Sequence, residues 1–331
     1  MKLSARLKNS GLLALKFGIT ITILYYIFTK IPIAEVARSI SLARPLYIVG
    51  ALAIAILATY ISACRLKILT DRQGMSLTIS RITEINFLTS FYGLLLPGYL
   101  ASGVMRWHRL SQAENKKTEA LAAIAFSRLI YTISSIVIAI TFLSFDVQHR
   151  VGGIKISILL SLLFCLVMIY FIGFNPNLLP IVDRFNQGKE KSISVWLSSK
   201  ISKLLLATSK YNRLSSKIWG LIAGFTILES LLEILSVYLF TLALDINISY
   251  ISIGWVISIL KLVTALPISF SGLGIREGGL IVLLGPYGVF GSEAVALSFL
   301  IFAKILFIGG IGAIAEAKNF FYPAKPWDMK T

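Results

Sequence analysis

The sequence predicts an all-α integral membrane protein of about six spanning helices and two re-entrant helical hairpins, set out as an inverted repeat in a single polytopic domain over residues 1–331. Three observations carry that prediction. Long apolar runs recur along the whole chain, and only 14% of residues are charged, against about a quarter in soluble domains. Proline and glycine interrupt two of the runs. The basic residues are divided unevenly between the loops.

The first run, 11–29, follows a basic start at Lys2, Arg6 and Lys8. It is too long for a signal-peptide core, and no small-residue cleavage site precedes Lys30, so it reads as the first span. Runs at 45–64, 122–145, 154–174, 218–244 and 293–315 supply the remaining spans, each near the ~20 residues a crossing helix needs. Two apolar regions differ. Region 83–105 has Leu96-Pro97-Gly98 at its middle. Region 250–290 has Pro267, then Ser271-Gly272-Leu273-Gly274, then Gly278-Gly279. Broken backbone at membrane depth is stable only where protein or a water-filled cavity covers it.

Charge decides whether these regions cross. If 83–105 were a simple span, the basic segments 65–82 and 106–117 would lie on opposite sides and the basic loop 175–217 would face outward. If it enters and leaves on one side, 22 Lys and Arg fall inside. Five fall outside: Lys30, Arg38, Arg44, Arg150 and Lys155. The positive-inside rule selects the second arrangement, with both termini cytoplasmic. Region 250–290 then returns from the opposite face. The two breaks share a spacing: Pro97 precedes Arg106, and Pro267 precedes Arg276, by nine residues each, through glycine-rich sequence. Inverted repeats with broken helices characterise secondary transporters.

Loop 175–217 mixes apolar residues and lysine over Ser192–Leu206. That pattern suits an amphipathic helix on the cytoplasmic lipid surface or on the base of the protein itself. The loop is too short for an enzyme domain.

Several function classes are excluded by what is missing. The net charge of +17 sits between apolar runs, with no aromatic-basic RNA motif, so nucleic acid is not the expected partner. Membrane lipids are. Cys64 and Cys165 lie within apolar runs and read as packed thiols. His108 and His149 are isolated, so no metal or cofactor is expected. No GxSxG, HExxH, DxD or P-loop occurs, so no catalytic residue is assigned.

Ionisable residues inside spans are costly and face a bundle interior or an aqueous cavity. Lys16, Glu84 and Glu293 are near enough to helix ends to snorkel. Glu229 and Glu233, four residues apart, share a helix face. Their expected partners are Lys261, Lys304 and Arg128, either in a buried ion-pair network or in a coupling site. Arg106 ends the first hairpin, and Arg276-Glu277 follows the break of the second. Arginine suits phosphate because its planar fork gives two parallel hydrogen bonds. Arg106, Arg128 and Arg276 are therefore candidate lipid-phosphate ligands. For Arg106 and Arg276 the alternative is that each arginine pins its own hairpin, for instance through Glu277. Pro97, Gly98, Gly103, Pro267, Gly272 and Gly274 are the candidate backbone breaks, and Glu229, Glu233, Lys261, Glu277 and Lys304 the candidate charge network. Trp107, beside Arg106 and Arg109, reads as an interfacial anchor.

Asn86-Phe87, Leu96-Pro97-Gly98, Gly103-Val104-Met105-Arg106, Arg109-Leu110 and Ser127-Arg128, together with Pro267-Ile268-Ser269 and Gly272-Leu273-Gly274-Ile275-Arg276-Glu277-Gly278, resemble the lysylphosphatidylglycerol synthase transmembrane region, or flippase-like, family. The resemblance covers nearly the whole chain. It implies a membrane protein of a bacterial or archaeal cytoplasmic membrane with two re-entrant hairpins. In the multiple peptide resistance factor the related region moves aminoacylated phosphatidylglycerol between leaflets, and other relatives are linked to hopanoid or isoprenoid lipids. About 15 residues follow the last predicted span, so the aminoacyl-transferase activity of the synthase is expected to be absent. Tyr99-Leu100-Ala101-Ser102 stands where many relatives are richer in glycine or acidic residues.

The expected function is ATP-independent translocation of an anionic phospholipid or polyisoprenyl-linked lipid. The alternatives are a membrane-embedded glycosyltransferase and an accessory subunit that recruits a lipid-synthesis enzyme through loop 175–217.

Overall fold

A computed structural model describes residues 25–95, 99–146, 206–264 and 272–321, with Thr22 and scattered positions between 157 and 168. The predicted spans 11–29 and 154–174 lie largely outside these residues, as do loop 175–205 and the breaks Pro97, Gly98 and Pro267. Among the described residues every regular element is helical, joined by short turns.

In chain order the helices are α1 (Ile33–Ser41), α2 (Pro45–Arg72), α3 (Ile79–Leu95), α4 (Tyr99–Glu114), α5 (Lys117–Phe145), α6 (Ser216–Ala243), α7 (Tyr250–Thr264), α8 (Ile275–Leu284) and α9 (Gly291–Phe321), with 3-10 turns at Lys210–Arg213 and Gly285–Tyr287. Four are long and apolar enough to cross a membrane: Pro45–Arg72, Lys117–Phe145, Ser216–Ala243 and Gly291–Lys318. Pro45 opens α2, where its missing N–H costs nothing and its fixed φ suits the first turn. The Arg44 N–H donates to the Ala243 carbonyl at 2.9 Å, so α2 begins beside the end of α6 and the two run antiparallel. The longest interface joins this pair. Within it the Ser236 hydroxyl donates to the Ala51 carbonyl at 2.9 Å.

α3 has 17 residues and α4 has 16, or about 25 Å each at 1.5 Å per residue, short of a ~30 Å hydrocarbon core. Their outer ends meet. The Ser76 N–H, just before α3, donates to the Glu114 carboxylate at the end of α4, and Lys116 reaches the Gly74 carbonyl. The helical pair therefore begins and finishes at the same end of the bundle. α4 continues to Glu114, well past the predicted limit of 105, and Gly103 sits inside it rather than at a break. A Cβ on Gly103 would meet Arg128 Nη1 at 3.4 Å, so this glycine makes room for Arg128.

α7 and α8 form the second such pair. Ser252 and Trp255 near the start of α7, and Tyr287 just after α8, all donate to Asp146 at the end of α5. Between them, Gly272 and Gly274 have φ of 78° and 82°. A side chain in that region collides with the following carbonyl, so glycine is required. The Gly274 N–H donates to Glu277 Oε2 at 2.6 Å, which closes the first turn of α8.

The helix contacts have an internal two-fold relation. Exchanging α2, α3, α4 and α5 with α6, α7, α8 and α9 maps the α2–α6 contact onto itself and each other main contact among these eight helices onto a partner. Thus α3 packs on α9 as α7 packs on α5. Glycine permits both approaches: Gly312 of α9 lies against the Phe87 carbonyl of α3, and Gly254 of α7 against the Phe142 ring of α5.

Two apolar cores result. One gathers Ala51, Ile136, Ala139, Val237, Phe240, Val256 and Leu297. The other gathers Ala63, Leu66, Ile82, Ala123, Phe126, Tyr211 and Ile222. The first lies toward the end where α2 begins, the second toward the end where α2 finishes. A polar belt separates them.

Candidate functional site

The belt follows from where polar residues fall on the crossing helices. Glu229 is thirteen residues from the start of α6 and fourteen from its end, so it stands ~20 Å from either tip. Lys304 holds the equivalent position in Gly291–Lys318. Neither side chain can snorkel to an interface from that depth. Each must be accommodated inside the bundle.

The accommodation is a cavity of about 230 Å³. α2 lines it with Ala55, Ala58, Thr59 and Ser62, and α3 with Asn86 and Ser90. α4 adds Arg106, α6 adds Glu229, Glu233 and Ser236, and α9 adds Lys304, Ile305 and Ile308. The α2 contribution is a stripe of small residues at helical spacing, which leaves the space open.

Two ion pairs stand at its wall. Arg65 Nη1 lies 2.6 Å from Glu229 Oε2, with both side chains almost fully buried. Lys261 of α7 pairs with Glu233, which also accepts the Tyr131 hydroxyl of α5. The Tyr131 ring carries Arg65 at 5.4 Å and Lys261 at 5.6 Å from its centroid, so one aromatic ring links the two pairs. Lys304 reaches the same space with no carboxylate within ion-pairing distance among the described residues.

The structure brings Glu229, Glu233 and Lys304 to one cavity with Arg106, and pairs Lys261 with Glu233, whereas Glu277 lies apart, on Arg276 and Ser298. The partner of Glu229 is a correction. The charge pattern puts Arg65 at the head of an inner segment, but α2 runs on to Arg72 and carries Arg65 into the bundle, 3% exposed. Its signal in the sequence was the spacing Ala55-Ala58-Ser62-Arg65, which puts it on the cavity-facing stripe. Tyr131 and Asn86 were also missed as site residues, because nothing in an apolar helix marks which of its polar side chains meets a partner.

Arg276 is placed differently from Arg106. It is 4% exposed, donates to Ser298 Oγ at 2.7 Å and Glu277 Oε1 at 2.9 Å, and lies 5.4 Å from the Phe302 ring centroid. Ser298 donates in turn to Glu277 Oε1 at 2.6 Å. Arg276 therefore fastens α8 to α9, as the hairpin-pinning alternative expects, and does not line the cavity. Arg128 packs over Gly103 and is likewise absent from the wall.

Two further carboxylates tie the helical pairs at opposite ends. Glu316 at the end of α9 accepts Tyr92 of α3 at 2.7 Å and pairs with Arg109 of α4. Asp146 at the end of α5 accepts Ser252 at 3.2 Å, Trp255 at 2.8 Å and Tyr287. Burial, then the Asp146 carboxylate, push the Tyr287 phenol well above its ordinary range, so it stays a donor. Each cluster joins a helical pair of one half to a crossing helix of the other. Among the described residues no His, Cys, Asp and Glu group is placed to hold a metal ion.

Comparison with known protein families matches residues 13–312 to the Lysylphosphatidylglycerol synthase TM region. No curated protein matches the chain. The chain belongs to that family, and with four crossing-length helices among the described residues it is an integral, multi-pass membrane protein.

Proposed function

We propose that this member of the lysylphosphatidylglycerol synthase transmembrane-region family translocates a phosphate-bearing lipid head group between leaflets without nucleotide hydrolysis. One observation carries the reading. A polar cavity at mid-height lies between two apolar cores, with Arg106 from one helical pair and Lys304 from a crossing helix on its wall. A head group needs such a station, because charge at the bilayer centre is costly, of order +2.5–3.5 kcal/mol even for an Arg, Lys or Asp side chain on insertion scales.

In this reading α3–α4 and α7–α8 are re-entrant hairpins that enter from opposite faces. Lys67, Arg72, Arg81, Arg109, Lys116, Lys117 and Lys217 cluster at the end where α3 begins, against Lys30, Arg38 and Arg44 at the other. The basic end is cytoplasmic by the positive-inside rule, and so are both termini. The Glu316 latch then closes the cytoplasmic hairpin and the Asp146 latch the outer one. Access alternates when one latch opens while the other holds, and the two-fold relation makes the two openings equivalent in kind. Lys304 and Arg106 hold the phosphate, Glu229 and Glu233 keep Arg65 and Lys261 from competing for it, and Arg276 stiffens the outer hairpin.

The test is reconstitution in liposomes with labelled phospholipids, following the fraction of label accessible from outside. Protein should accelerate exchange, and Lys304→Ala or Arg106→Ala should slow it. Arg44→Ala should not, since Arg44 and Asp245 pair at the exposed rim. Rates equal to those of protein-free liposomes for every phosphate head tried would reject the reading.

A further inference from the structure

The cations around the cavity differ in what holds their charge. Arg65 is paired with Glu229, and Lys261 with Glu233. Glu233 also accepts the Tyr131 hydroxyl of α5, so both carboxylates of the network are engaged. Arg106 is an arginine and stays protonated in any surroundings. Lys304 is the exception. It is partly buried at the middle of a crossing helix, and no carboxylate among the described residues comes within ion-pairing distance of it. The elements around it agree. α2 brings Arg65, already on Glu229, and α3 brings the uncharged Asn86 and Ser90. α4 brings Arg106, and α6 brings Glu229 and Glu233. Glu233 attracts the Lys304 ammonium from beyond pairing distance, whereas Lys261 of α7 and Arg276 of α8 repel it. Lys304 thus carries a charge that no described carboxylate answers directly, on a residue type whose proton can come off.

We propose that Lys304 is a proton carrier as well as a phosphate ligand: it binds a proton when a lipid phosphate docks beside it and releases that proton when the phosphate leaves. The inference rests on the translocation reading for its setting. Its physical basis is the cost of an unanswered charge at membrane depth. A docked phosphate supplies the missing anion and favours the ammonium. Once the phosphate has left, the carboxylate that remains in range is Glu233, whose charge Lys261 already answers. The proton comes from the solution on the side where the lipid enters and passes to the solution on the side where it leaves. No other bond forms or breaks. A monoanionic head then crosses with its proton, and no net charge crosses with it. The transmembrane potential does no work on such a lipid, and a pH difference does. An arginine at this position would hold phosphate equally well but could not withdraw its charge.

Two measurements on the full-length protein test this with phosphatidylglycerol. In liposomes, a pH difference of about one unit should gather labelled lipid in the leaflet facing the more alkaline solution, by up to about tenfold over protein-free liposomes. A proton ionophore should abolish the bias, and so should Lys304→Arg, which keeps the charge but not the exchange. In detergent, short-chain phosphatidylglycerol is titrated into weakly buffered protein in steps from about pH 7 to about pH 10, and an indicator dye reads the protons taken up. The parent should take up as much as about one proton per lipid bound within that range. Lys304→Arg should bind lipid and take up none. If uptake accompanies binding but no lipid moves, translocation fails and the proton linkage stands. If lipid moves without a pH bias and binding takes up no proton, translocation stands and the inference is overturned. Proton uptake that persists in Lys304→Arg, or a lack of any phosphatidylglycerol binding, also overturns it. Should Lys304→Arg not fold, Lys304→Gln takes its place, with lipid bound and no proton taken up as the expected result.

Discussion

Glu229→Gln should be among the most damaging single changes in the bundle, for a reason that can be worked from the Arg65 contact. The two charged groups are 2.6 Å apart with side-chain exposures of 4% and 8%, so solvent screening is slight. At an effective dielectric near 20 their attraction is about 6 kcal/mol. Most of that offsets the several kcal/mol needed to desolvate each ion. The substitution removes the attraction and leaves Arg65 buried opposite a neutral amide. The expected loss is therefore about 3–5 kcal/mol, the range for deleting one partner of a buried pair. Equilibrium unfolding of purified protein in detergent, monitored by tryptophan fluorescence, measures it. The diagnostic is the double variant. Arg65→Leu with Glu229→Leu removes both desolvation costs and should recover most of the loss. Glu229→Gln within about 0.5 kcal/mol of the parent, the usual range for surface changes, would refute the argument. So would a double variant as unstable as the single.

The packing of α9 on α3 supplies a second test. Gly312→Ala places a Cβ against the Phe87 carbonyl, a backbone atom that cannot turn aside, and should cost about 1–3 kcal/mol. Gly310→Ala, where a Cβ meets nothing within 4 Å, should be neutral or stabilise by up to about 1 kcal/mol through helix propensity. Gly274→Ala forces a side chain into a φ of 82° and should cost about 1–2 kcal/mol, visible as a lower unfolding temperature. The latches predict sidedness. Glu316→Gln should raise labelling of a cysteine placed at Ser62 by a membrane-impermeant maleimide added from the cytoplasmic side, whereas Asp146→Asn should raise labelling from the outside. Equal effects from both sides would contradict the gating assignment. Arg44→Ala should change stability by no more than about 0.5 kcal/mol, because its ion pair with Asp245 is solvated.

Membrane class, the four described crossing helices and the two broken regions were legible in the sequence because they depend on local composition. A helix in hydrocarbon must satisfy its own backbone and be apolar along its length, so hydropathy alone finds Pro45–Arg72 or Ser216–Ala243. The asymmetry of lysine and arginine is likewise a property of loops counted one at a time. The family motif around Gly272 and Gly274 was legible for the same reason, since positive φ leaves glycine as the residue that fits.

Partnership was not legible. That Glu229 faces Arg65 rather than Lys261, that Arg276 is spent on Glu277 and Ser298, and that Asp146 and Glu316 each bind a helical pair from the other half were decided by the tertiary structure. These contacts join residues far apart in the chain, and the period of a helix says only which residues share a face, not which face of which neighbour receives them. By itself the sequence determined that costly polar groups lie at membrane depth. The packing of α2 on α6, α3 on α9 and α7 on α5 determined which of them cancel, and brought Lys304 and Arg106 to the wall of one cavity.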